Sequence, residues 1–192
     1  MADDPLSSRR THEDEYFHRK DRELIEKMRE RAKAEQQLRE LGEQVGVHDP
    51  EVSRELAELG FTIDTVKLLP LMPVLETAWA EGGVTAQERK MVIDLARSRG
   101  IAEGSVADRQ LAEWLDRRPE DGIFRRSGRL ISALFASGGR FDVTADDLLK
   151  YCEAVAEASG GLFGIRRVSS EERATLERIA NEIKGRQKSA GS

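Results

Sequence analysis

Ala156-Glu-Ala-Ser-Gly-Gly-Leu-Phe-Gly-Ile-Arg-Arg-Val-Ser-Ser-Glu-Glu-Arg173 reads as the end of one helix, a glycine-rich loop and the start of another. A shorter stretch, Ala78-Trp-Ala-Glu-Gly-Gly-Val-Thr-Ala-Gln-Glu-Arg89, has the same parts in the same order. Each has an alanine-rich helix end, Gly-Gly, a valine, a hydroxyl residue and a glutamate three positions later. The last two form a capping box: the hydroxyl accepts the glutamate's backbone N–H, and the carboxylate accepts the N–H of the capping residue. The pair of stretches predicts an internally duplicated helix-loop-helix unit.

The chain around them is patterned for helices. Ala, Leu, Glu, Arg and Lys dominate, aromatics make up only 5%, and no useful length alternates at period two, so an all-helical fold is expected. Residues 1–12 are polar and expected to be disordered. From Glu13 to Glu43 the sequence is dense in charge and free of proline, with a thin apolar line of Leu24, Met28, Leu38 and Val45. A narrow stripe of this kind either docks weakly on the body or pairs with a partner helix. Arg31 and Glu35 fall on its seam, so the heptad is too irregular for a coiled coil to be claimed. Asp49-Pro50 restarts a helix after Gly46, and Gly60 ends it.

Residues 62–80 are apolar nearly all round, predicting a central buried helix, kinked or restarted near Pro70. Thr85, Ser105, Thr144 and Ser169 each sit three residues before an acid and open the helices that follow. The expected organisation is a disordered start (1–12), a helical extension (13–60), a helical bundle of two related halves (61–184) and a disordered tail (185–192).

Charge and cysteine content narrow the functions. A net charge of −5 offers no broad positive field for a phosphate backbone, so nucleic acid is not an expected partner. The single cysteine, Cys152, excludes an internal disulfide and a cysteine zinc site. No apolar run approaches the roughly 20 residues needed to span a bilayer, and no signal peptide is visible, so a cytoplasmic protein touching membranes at most peripherally is expected.

Few residues suggest chemistry. Glu76, Glu81, Glu153 and Glu157 lie near the two loops and could hold a hard divalent cation through oxygen. Surface position or capping is the ordinary fate of such glutamates. The only Glu-x-x-His, Glu15 to His18, lies in the extension, whereas a di-iron bundle needs two facing inward. No Gly-x-Ser-x-Gly elbow and no complete phosphate loop is present, so an enzyme is not expected. Leu162 and Phe163, set among glycines, either fold under as a plug or stand out as a handle; as a handle they join Leu24 and Met28 as candidate partner contacts.

With both loops in view, the chain resembles the tellurite-resistance TerB-like family. The likeness rests on Ala80-Glu-Gly-Gly-Val-Thr-Ala-Gln-Glu88 and on Ala156 to Glu172, against a family pattern of Ala-Asp-Gly-x-Val-Ser-x-x-Glu, and covers about residues 62–184. It implies a helical bundle of two halves, acidic residues near the loops that are sometimes linked to divalent metal, and a role in membrane-linked stress systems. The family's loop aspartate is replaced by Glu81 in the first copy and by Ser159 or Gly160 in the second, which argues against a symmetric two-metal centre. The expected function is a non-enzymatic adaptor that meets a protein partner or its own copy through the N-terminal helix. The alternative is a metal-binding stress protein using the four glutamates.

Overall fold

Residues 66 to 78 carry too many apolar side chains for a single face, and the computed structural model buries them on every side. The structure describes residues 5–138, 143–159 and 168–185. Among them are eight α-helices and one short 3-10 helix, with no strand. They are α1 (Pro5–Gln44), α2 (Pro50–Glu58), the 3-10 helix (Val66–Leu71), α3 (Met72–Ala78), α4 (Ala86–Ser98), α5 (Val106–Asp116), α6 (Asp121–Ala136), α7 (Ala145–Ser159) and α8 (Ser170–Gly185). The all-helical fold is therefore as expected.

The central segment is restarted, as its two prolines dictate. The 3-10 helix contains Pro70, and α3 begins at Met72 with Pro73 in its first turn, where a missing N–H costs nothing. Leu68, Leu69, Val74 and Leu75 are at most 1% exposed. Each such side chain contributes about 1.5–3 kcal/mol by leaving water. Helix α3 packs along α7 and also meets α4, α6 and α8, while the 3-10 helix is covered by α4, α5 and α6. Trp79 locks the end of α3 to α5: its Nε1 donates to the Trp114 carbonyl at 2.9 Å, and the Trp114 ring meets Phe61 edge to face at 5.9 Å.

Two boundaries differ from expectation. Helix α1 begins at Pro5, eight residues before Glu13, and takes in part of the stretch expected to be disordered. No glycine interrupts residues 6–12 and the only proline nearby sits at the first helical position, where its fixed φ suits a helix. The apolar core also runs through the boundary expected near residue 60. Leu41, Val45, Leu56 and Leu59 belong to the same buried cluster as α3. The end of α1 and α2, which folds back on it, are thus built into the body, in one buried cluster with Phe61 and Val66.

That fold-back is tight at Gly42, in the last turn of α1. A Cβ there would run into Ser53 Oγ and lie 2.6 Å from the Val47 carbonyl oxygen. Gly42→Ala should therefore destabilise the protein by about 1–3 kcal/mol in urea denaturation, overriding alanine's helix propensity advantage of about 1 kcal/mol. Gly122→Ala is the control: a Cβ there meets open space, and the change should be neutral or stabilising.

Candidate functional site

Both capping boxes form as the spacing dictates. Thr85 N–H donates to Glu88 Oε2 at 2.7 Å and Glu88 N–H donates to Thr85 Oγ1 at 3.2 Å. Ser169 N–H donates to Glu172 Oε2 at 2.7 Å and Glu172 N–H donates to Ser169 Oγ at 3.1 Å. Both glutamates are buried, at 2% and 0% exposure, and they stand close enough to repel. Burial pushes the Glu88 carboxyl above its ordinary range; hydrogen bonds from Thr85 hold it back, and the charges of Glu172 and Glu81 push it further up.

The four glutamates proposed from sequence as a metal set are not gathered into one cluster. Glu76 Oε1 meets Arg178 Nη2 at 2.5 Å, and Arg178 also reaches Glu182 at 3.1 Å, which joins α3 to α8. Glu182 further fills the space beside Gly128, and its carbonyl accepts the Ser132 hydroxyl at 2.6 Å, bringing in α6. Glu81 is exposed on the first loop, beside Glu88. Glu153 and Glu157 are exposed on α7. Among the described residues, no three His, Cys, Asp or Glu side chains converge as a metal set would. Leu162 and Phe163 lie outside the described residues.

Cys152 is fully buried at the α3–α7 contact. Burial pushes its thiol up to about 12; a hydrogen bond with Thr77 offsets part of this, and Glu76 and Glu153 add to it. The thiol is therefore protonated at neutral pH and is a packing group rather than a nucleophile.

Helix α1 is the element that the body leaves uncovered. Every residue from 18 to 37 is exposed, a run of roughly 30 Å at 1.5 Å per residue. Leu24, Ile25 and Met28 are 57%, 48% and 61% exposed. They lie within about one turn of one another, and local pairs such as Lys20–Glu23 at 3.3 Å and Gln36–Glu40 at 2.8 Å support the helix around them. The sequence pointed to Leu24 and Met28; Ile25 completes the exposed apolar set of the arm. Where α1 reaches the body, a cleft of about 720 Å³ opens between Ala34, Leu38 and Leu41 on one side and Phe61 and Ile63 on the other. No described helix is long and apolar enough to cross a membrane.

Comparison with protein-family models, with curated proteins and with solved structures gives no match for the chain.

The buried pair of caps makes a signed prediction. A carboxyl whose pKa is raised by folding stabilises the fold when protonated, so its contribution is present in acid and is lost as pH rises through the folded value. Glutamine keeps the acceptor for Thr85 N–H but never ionises. The stability difference between Glu88→Gln and the unaltered chain, followed by thermal melts, should shift steadily in the variant's favour as pH climbs from about 4 to 7. A difference that stays flat or moves the other way contradicts the account of this site.

Proposed function

We propose that this chain is a non-enzymatic interaction module: a TerB-like helical body that carries a projecting helix and presents it to a protein partner. The exposed arm of α1 carries this reading. A surface helix of a self-contained domain turns its apolar stripe inward. Here Leu24, Ile25 and Met28 stand in solvent on a helix whose continuation, at Leu41 and Val45, is built into the core. An anchored root and an exposed reach that carries three apolar side chains describe a helix meant for another surface.

The TerB-like assignment of the body is supported by the two capping boxes, which open α4 and α8 and each follow a Gly-Gly pair in the sequence. A cytoplasmic role in a membrane-linked stress system goes with that assignment and stands or falls with it. The divalent-cation reading has less to rest on, since Glu76 is engaged by Arg178, the other three glutamates are exposed, and no three such side chains converge among the described residues. Calorimetric titration with Ca²⁺, Mg²⁺, Mn²⁺ and Zn²⁺ decides that point: binding heat that disappears in Glu81→Gln or Glu153→Gln would restore it.

Truncation tests the main reading. Removing residues 1–36 takes away only exposed side chains among those described and leaves Leu38, Leu41 and Val45 in place. The truncated chain should fold with stability within about 0.5 kcal/mol of the full chain. It should also lose association, measured by sedimentation and by pull-down with the full chain as bait. A truncated chain that associates as the full chain does would overturn the proposal.

A further inference from the structure

The arm's charges say more than that it has a partner; they name one. We propose that the occupant of the α1 stripe is a second copy of this chain, paired antiparallel about a two-fold axis at residue 26. This rests on the reading of α1 as an interaction helix and specifies its partner.

Leu24, Met28, Arg31, Glu35, Leu38, Gly42 and Val45 form one row, spaced alternately by four and three residues. Inside the molecule the lower part of this row is already occupied. Helix α2 runs back along it, with Ser53 against Gly42 and with Leu41 and Val45 buried beside it. The row continues beyond the reach of α2 as Met28 and Leu24, where every residue is exposed. An antiparallel helix laid on the free part therefore extends an interface that the fold has already begun with α2.

The charges select the register and the direction. Residue 26 lies midway between Leu24 and Met28, and also midway between Asp21 and Arg31. Two antiparallel copies centred there place Leu24 against the partner's Met28 and Met28 against the partner's Leu24. The same register sets Asp21 of each copy against the partner's Arg31, so two ion pairs flank the apolar centre. Ile25 meets its own copy on one flank, which gathers all three exposed apolar residues of the arm around the axis. Parallel pairing in register would instead stack Asp21 on Asp21, Arg31 on Arg31 and Glu35 on Glu35. Arg31, which spoils a parallel heptad, thus finds its counter-charge only in the antiparallel pair.

The pairing spans residues 14–38 of each copy, since α2 covers the row from Gly42 onward and the partner's residues before 14 must leave it. Leu38, where the arm joins the body, is twelve residues from the axis, or roughly 18 Å along the helix. Each body therefore sits at an opposite end of the pair, and the partner's helix runs toward the open cleft between α1 and Phe61. Lys27 meets its own copy on the second flank. That like-charge contact weakens the pair and makes it reversible.

Sedimentation velocity of the full chain over a wide concentration range tests this, with circular dichroism to show that helicity is kept. The unaltered chain should show a reversible monomer–dimer equilibrium. Asp21→Arg and Arg31→Asp should each weaken it about tenfold or more, because each sets two like-charge contacts in place of two ion pairs. An equimolar mixture of the two variants should recover association as a heterodimer, since each arginine then faces an aspartate. Lys27→Ala should tighten the dimer. A chain that stays monomeric throughout, or single variants that dimerise as well as the unaltered chain, or a mixture that fails to recover, overturns the proposal. If the chain is monomeric but removal of residues 1–36 still abolishes binding to another protein, the homodimer falls and the arm's role survives. If that removal changes nothing either, both fall.

Discussion

A segment with no polar side has to be covered all round, and residues 66 to 78 impose that requirement on everything else. Buried apolar area is the dominant stabilising contribution in a domain of this size, and it is non-directional. Direction has to come from the groups that cannot be left unpaired. Pro70 and Pro73 divide the segment, Trp79 must find an acceptor at Trp114, and Thr77 turns its hydroxyl back to the Pro73 carbonyl at 3.0 Å. Helices α4 to α8 then close around α3 and the 3-10 helix, and α2 with the root of α1 completes the cover.

Closure of this kind brings the two capping boxes together, and it carries an electrostatic cost. Each box is favourable alone, since each satisfies two backbone donors at a helix start. Packed side by side, they bury two carboxylates within reach of each other's charge. Burial is the main reason the Glu88 carboxyl is raised; hydrogen bonds from Thr85 offset part of it, and the charges of Glu172 and Glu81 add to it. The Arg178 cluster shows the opposite solution, in which two carboxylates share a guanidinium and tie α8 to α3.

Local signals in the sequence were legible, and distances across the fold were not. The caps at Asp49, Thr85, Ser105, Thr144 and Ser169 all accept the backbone N–H expected of them, because a cap is decided within four residues. The apolar run at 66–78 declared its burial through composition alone. That the buried cluster extends before residue 60 was not legible, because Leu41 and Val45 look like the end of a thin stripe until α2 folds back on them. Which side chains meet the four glutamates near the loops was not legible: Glu76 meets Arg178, 102 positions away. Leu24 and Met28 were readable because exposure follows from a stripe too narrow to bury.

The molecule has two parts of unlike kind, a body closed around α3 and an exposed arm of α1, and the proposed role of the arm depends on contact with another chain. Hydrogen–deuterium exchange on the full chain, followed peptide by peptide at low and high protein concentration, tests it most directly. The peptides covering residues 66–78 and the core of α7 should exchange slowest and at rates independent of concentration. Residues 18–36 should exchange far faster in dilute protein and slow down as concentration rises. Strong protection of residues 18–36 at every concentration would place the arm on its own body and contradict the claim.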